Sequence, residues 1–439
     1  MPAHTSTLQS RSLERTDSDK MRGLRVGFYY FYIGCWVISP SLLRIPARYV
    51  GFSGDEALAV TWNAIHYVAL LLVILRLRQN GKNLSWLVLT LLYLGFSIAL
   101  SSQPDVSSRY GLALAGTILT AYLISTDLSA KELLTITFRV ITVLAALSVV
   151  LYIAGAGIAF YDDAANRPNV LGGEPLKGLF AHKILAGFYA CLAAPIVLLQ
   201  PWSKFKKSIA ILFLFLVVLT TSSSTALVLF PTSFVGYGLA RYGLTRNLKA
   251  VHWFGLLITS LTICLLVLWM SWAGVLGALG RDLTLTGRTL LWAQGLTAWT
   301  EKPLFGWGYG AYMHSPEATA ISENFEEFRN YDVPHLHQTY IQIAVDFGLI
   351  GLGFLIFVLL RTASLSYSKL GRTDPRLGAT AFSIVFLIAV AGLVAFIIPS
   401  YMYTGGPTVL ILSMYLILRS RPVEEFEALN PASISRKRA

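Results

Sequence analysis

Residues 340–360, YIQIAVDFGLIGLGFLIFVLL, hold one side chain of the Asp, Glu, Lys and Arg types, Asp346, in 21 positions. At 1.5 Å per residue such a helix rises about 30 Å, the thickness of a bilayer's hydrocarbon core, and its apolar residues run on without the alternation that a membrane β-strand needs. Outward from this run, comparable ones fall at 24–43, 58–75, 84–100, 110–126, 133–155, 179–199, 208–220, 225–240, 252–274, 378–398 and 406–418. The sequence therefore predicts an all-α polytopic membrane protein with about twelve transmembrane helices. The pair within 208–240 shares 33 residues, so each helix there must be short or one re-entrant.

Composition agrees, since 55% of the 439 residues are hydrophobic and 13% charged, too apolar for a water-soluble domain. The formal net charge of +12 does not point to nucleic acid, because the basic residues lie in small groups between apolar runs rather than on one polar face. With both termini cytoplasmic, the cytoplasmic segments collect 25 of the 35 Lys and Arg residues, as the positive-inside rule asks. That orientation gives a disordered cytoplasmic N-terminus (1–23), transmembrane helices one to nine (24–275), a large periplasmic catalytic loop (276–339), helices ten to twelve (340–419) and a cytoplasmic tail (420–439). The first run begins beside Arg22 and Arg25 without a small-residue cleavage site, and reads as a retained signal anchor. Cys35, Cys191 and Cys264 sit inside apolar runs with neither a disulfide framework nor metal-ligand spacing, and read as packing residues.

The 276–339 loop is the one long polar segment. Outside the cytoplasm it meets no ATP or nucleotide sugar, and the chain has no Walker-type loop or dinucleotide fingerprint. Gly287-Arg288, then Lys302-Pro303-Leu304-Phe305-Gly306-Trp307-Gly308-Tyr309-Gly310, then His337-Gln338 with Gly348 and Gly351 after it, resemble the signature of the O-antigen ligase and polymerase superfamily. The histidine spacing is most similar to the ligases. The resemblance covers the architecture of most of the chain and the motifs of about 287–353. It implies a GT-C-like glycosyltransferase architecture with short helices in the loop. It also implies transfer of a glycan from undecaprenyl pyrophosphate to a hydroxyl of the lipid A-core oligosaccharide, at the periplasmic face of a bacterial inner membrane, with no metal, nucleotide or other cofactor. The partners implied are that donor, that acceptor and membrane lipids. The family pattern includes an arginine followed four residues later by leucine; Arg281 with Leu285 fits it, whereas Arg288 is followed there by Trp292.

Glycosyl transfer from a lipid pyrophosphate needs a group that takes the acceptor's proton and cations where charge builds on the departing phosphate. Between residues 286 and 299, Leu291, Leu296 and Trp299 recur at helical spacing, so Arg288 heads an amphipathic helix on the membrane with Thr286 as its N-cap. Guanidinium and backbone N–H groups would converge there on pyrophosphate, with Arg281 assisting, or Arg288 simply anchors the helix to headgroups. His337, three residues after Pro334 at the start of the tenth span, would stay neutral at the helix's positive end and act as general base, oriented by Asp332, Glu323, Glu326 or Glu327. A capping role is the alternative. On one helix His335 and His337 would face about 200° apart; His314 is a weaker candidate still.

Gln338, Trp307 and Tyr309 complete the substrate-binding candidates, the two rings as stacking surfaces for sugars, although Gly306, Gly308 and Gly310 equally suit a tight turn. His182 and Lys183, near the periplasmic end of their span, either bind phosphate or snorkel to the interface. Asp346 would lie about 13 Å deeper than His337, suited to pairing with a neighbouring helix. Gly348, Gly351 and Gly353 suit close helix packing. The expected reaction is a single inverting displacement. Competing readings are a polymerase extending the glycan on its carrier lipid, a protein O-oligosaccharyltransferase, and a polytopic transporter. The last is disfavoured because the spans show no internal repeat and no paired interrupted helices.

Overall fold

The computed structural model describes residues 25–38, 67–74, 83–161, 168–249, 287–319, 333–398 and 405–420, with a few single positions beside them. Among the described residues, the regular structure is helical, and two isolated bridges, Ile38 with Phe180 and Phe160 with Leu176, are the extended pairings. Residues 25–37 are helical. The principal helices that follow are α1 (Leu84–Ala99), α2 (Pro104–Asp127), α3 (Ala130–Ile153), α4 (Lys183–Ile196), α5 (Lys204–Thr220), α6 (Ser224–Thr245), α7 (Arg288–Glu301), α8 (Thr339–Leu365), α9 (Pro375–Ala391) and α10 (Gly406–Ser420).

Local chemistry sets the starts. Ser129 and Glu132 form a reciprocal capping box on α3, Ser203 and Ser223 accept backbone N–H groups at the heads of α5 and α6, and Asp374 caps α9 just before Pro375. α5 and α6 part at a turn where Ser222 has φ 54°, so residues 208–240 form two helices, of 17 and 22 residues.

By length and composition, Ala130–Ile153 and the continuous run Thr339–Thr373 can cross a membrane, and Leu84–Ala99, Lys183–Leu199, Pro375–Ala391 and Gly406–Ser420 are shorter apolar helices. Leu89, Leu92, Leu112, Val143 and Val150 point outward, an apolar exterior suited to lipid. These features mark a membrane-integral protein. The run at 252–274 lies outside the described residues apart from single positions, and those at 24–43 and 58–75 are described in part.

α6 lies along α9, close enough that a Cβ on Gly236 would come within 2.8 Å of Phe386, and the Ser383 hydroxyl donates to the Ser233 carbonyl. α4 packs on α6, α10 on α2 and α8, and α7 on α8. The last contact builds the site.

α8 is broken inside its apolar run. Gly348 adopts φ 64°, ψ −165°, so the N–H groups that follow cannot reach back to their helical carbonyls. Leu349 N–H donates instead to Pro303 O at 2.8 Å, while the freed carbonyls of Val345 and Asp346 accept from Trp307 N–H (2.8 Å) and Gly308 N–H (3.0 Å). The glycine-rich loop thus satisfies backbone groups that the break would leave bare in an apolar interior. A Cβ on Gly348 would sit 2.2 Å from the Leu304 backbone, and one on Gly306, 2.6 Å from that of Asp346. Gly348 therefore admits a loop rather than a packed helix; Gly351 lies against Phe347, and Gly353 has nothing within 4 Å.

Left-handed backbone and contact combined make Gly348→Ala costly, by at least about 2 kcal/mol. Its unfolding midpoint in detergent should fall by several degrees, and that of Gly353→Ala should not move. Equal midpoints would place the loop elsewhere.

Candidate active site

Two helix starts meet. α7 begins at Gly287, whose φ of 78° occupies the N-cap position without a side-chain cap. The expected cap, Thr286, lies outside the described residues, as does Arg281. The buried face of α7 is Leu291, Gly295 and Ala298, whereas Leu296 is 46% exposed. α7 thus packs on the protein through small residues as well as Leu291, while Leu296, read as part of a membrane-facing stripe, is exposed. A Cβ on Gly295 would meet Leu336 at 2.6 Å and Ile341 at 2.7 Å. Trp292, where the family pattern has leucine, donates its indole N–H to the Leu336 carbonyl at 3.1 Å, clamping α7 to the histidine turn.

α8 begins at Thr339, not at His337. Gln338 is its N-cap, its Oε1 accepting from Ile341 N–H at 2.6 Å, so this side chain caps the helix where substrate contact was expected. His337 lies ahead of the helix with φ 54°, and its N–H donates to His335 Nδ1 at 3.2 Å. The two rings stand edge to face, centroids 4.2 Å apart. The expectation that they face apart fails because they occupy a turn, not one helix.

The segment following α9 closes the other side. Thr339 N–H donates to Gly392 O (2.8 Å) and its hydroxyl to Ala395 O (2.8 Å), the Phe396 ring lies 5.3 Å from His335, and Arg288 Nη1 donates to Val394 O at 2.7 Å. One guanidinium N–H is thus spent on orienting the side chain.

Beneath the turn, Leu336 N–H donates to Gln342 Oε1 (2.8 Å), Gln342 Nε2–H to Asp346 Oδ1 (3.2 Å), and Gly310 N–H to the same oxygen (3.2 Å). Asp346 therefore bonds to the glycine loop and to its own helix. It is a positioning residue that links loop to turn.

His182 caps α4, Nδ1 accepting from Ile184 N–H at 3.1 Å, with its Nε2 2.7 Å from the Tyr161 hydroxyl and Lys183 Nζ 4.8 Å from the Tyr161 ring centre. Burial first, then His335, Arg288 and His182, hold the partly buried His337 well below the usual 6.5. Burial and then Arg288 bring His335 down to about 4. Arg288, His182, His335 and His337 thus share one electrostatic neighbourhood, and among the described residues neither ring nitrogen of His337 is hydrogen-bonded. Asp332, Glu323, Glu326 and Glu327, the expected orienting acids, lie outside the described residues.

Trp307 and Tyr309 are both buried. Trp307 is 6% exposed, with its indole N–H on Ala298 O (2.8 Å), Lys302 Nζ 4.3 Å over its ring and Tyr312 at its edge; Tyr309, 1% exposed, stacks on Phe347 at 5.2 Å. Both rings are packed against protein side chains. His314 sits at the end of the glycine loop, Nδ1 2.9 Å from Gly310 O and the ring against Tyr110.

Sequence reasoning missed Gln342, Tyr161 and the 392–397 segment. Gln342 had a signal: it and Asp346 are the two polar long side chains of residues 341–360, four apart on one helix face. The 392–397 segment contributes mainly backbone carbonyls, which carry no side-chain signature.

Residues 209–358 match the family described as O-Antigen ligase, a span that includes Arg288, the glycine loop, both histidines and the break in α8. The Exopolysaccharide production protein ExoQ of Rhizobium meliloti (strain 1021) is 30% identical over 291 residues, 64% of this chain and 64% of that protein, just under two thirds of its length. The similarity read from the motifs is thereby shown, and the segment that holds the candidate site is the one that matches the O-antigen ligase family model.

Proposed function

We propose that the protein is a membrane glycosyltransferase that moves a glycan from undecaprenyl pyrophosphate to a hydroxyl of lipid A-core oligosaccharide on the periplasmic side, without a metal. What carries the reading is the meeting of Arg288 with the unbonded ring of His337 inside the family-matched segment. His337 takes the proton of the acceptor hydroxyl as its oxygen attacks the anomeric carbon; the bond to the pyrophosphate breaks with inversion, and the charge left on phosphate meets the Arg288 guanidinium. Lys183 and Arg281 stand as further cations for the same charge. A second reading, extension of the glycan on its carrier lipid, is favoured by a relative named for exopolysaccharide production.

Proteoliposomes supplied with lipid-linked glycan and lipid A-core separate these. Product on lipid A-core supports the first reading, and longer glycan on undecaprenyl pyrophosphate the second. Unchanged covalent species that have crossed the bilayer would reject both.

The pH profile follows from the depressed basicity. A ring held below 6.5 is already neutral, and so competent as a base, at pH 7 and remains so as the pH falls through 6.5. The acid limb of kcat/KM, which reports the free enzyme, is therefore expected well below pH 6.5. A limb at or above that value would contradict the assignment. Stability has the same sign: the unfolded chain takes up the proton first, so stability falls as pH drops below 6.5.

A further inference from the structure

We infer that His335 is a fixed hydrogen-bond donor to an anionic phosphate oxygen rather than a second base, a division of labour that rests on the proposed transfer site. A neutral imidazole carries one N–H and one lone pair. His335 spends the lone pair of Nδ1 on the His337 N–H at 3.2 Å, which puts its proton on Nε2. The outward nitrogen is then a donor and has no lone pair with which to take a proton. The ring is held by its edge-to-face contact with His337 (4.2 Å) and by Phe396 (5.3 Å), so the direction of that N–H is set before any substrate arrives.

His182 shows the same arrangement with its donor already used. Its Nδ1 accepts from Ile184 N–H, and its Nε2–H is directed at the Tyr161 hydroxyl 2.7 Å away. Among the described residues nothing accepts from His335 Nε2, and the atom is not sealed in the interior, so it is open to an acceptor on a ligand. The nearby Arg288 guanidinium selects the class of that acceptor: an oxygen that suits a cation and an N–H donor together is an anionic one, as on a pyrophosphate. His337, whose ring nitrogens are both unbonded, is left as the base.

Two variants separate the halves of the ring. In His335→Asn, the side-chain oxygen can replace Nδ1 as acceptor for the His337 N–H, but no donor reaches the Nε2 position; in His335→Gln, the amide N–H reaches that position. With inorganic pyrophosphate as the probe and calorimetry on the full-length protein in detergent, His335→Asn is expected to bind about 10-fold to 100-fold more weakly than the parent, the range for one hydrogen bond to a charged group. His335→Gln should bind within a few-fold, and both should unfold at the parent's temperature. The ¹⁵N spectrum of histidine-labelled protein, with His335→Asn to assign the signal, should show His335 protonated at Nε2 and shifting on addition of pyrophosphate. Parent-like binding by His335→Asn, or a proton on Nδ1, overturns the inference. Neither measurement reads turnover, so absence of transfer in proteoliposomes would reject the proposed reaction and leave this result standing.

Discussion

His337→Ala is expected to lower the rate of glycan transfer by about 10²–10⁴-fold, the usual contribution of a positioned general base. The change removes the one imidazole of the turn whose ring nitrogens are both unbonded among the described residues. It removes the ring contact with His335 but leaves in place the hydrogen bonds that build the turn, because the His337 N–H to His335, the Gln338 cap and the Gln342 bond to Leu336 do not use its side chain. Its φ of 54° is the left-handed region, which asparagine tolerates well. His337→Asn is therefore the stricter variant, matching the backbone while removing the base, and should lose as much. Single-turnover transfer in proteoliposomes measures both, and near-parental rates in either would reject the role.

Arg288→Lys is the second large effect. Lysine retains the charge but not the planar fork, and here one N–H of the fork already anchors the side chain to Val394 O at 2.7 Å. An ammonium cannot hold that carbonyl and two phosphate oxygens in the same geometry, so kcat/KM should fall about 10-fold to 100-fold, the scale of one charge-assisted hydrogen bond. Arg288→Ala should lose more and also carry a signature that a merely structural arginine would lack. The guanidinium is one of the groups that hold His337 below its usual value, so its removal should move the acid limb of the pH profile upward. An unmoved limb would mean that the two side chains do not share a site.

Much of this was legible in sequence, for definite reasons. Helix existence follows from runs such as 133–155 and 340–360, whose length and apolarity leave no other structure in a bilayer. Arg288 and His337 were singled out because ionisable groups stand out beside long apolar runs and because the motifs around them resemble those of the O-antigen ligase and polymerase superfamily. The detail that failed was angular. Helical spacing picked out Leu291, Leu296 and Trp299 but not Gly295, through which α7 packs on the histidine turn. The same spacing set His335 and His337 apart, whereas the positive φ of His337 and the cap at Gln338 begin the helix two residues later and bring the rings together. Trp307 and Tyr309 carry the amphipathic chemistry of sugar platforms, yet the break at Gly348 draws their loop into the protein. That break depends on backbone carbonyls of Val345 and Asp346 finding donors in a loop about 40 residues away in sequence, a pairing that no local pattern encodes.

The most direct measurement is an experimental structure of the protein with undecaprenyl pyrophosphate bound. The expected result places pyrophosphate oxygens within hydrogen-bond distance of the Arg288 guanidinium and His335 Nε2, with a ring nitrogen of His337 facing the position from which a hydroxyl would attack the anomeric carbon. Pyrophosphate held at another face of the helices, with Arg288 still turned to Val394 and no lipid near His337, would contradict it.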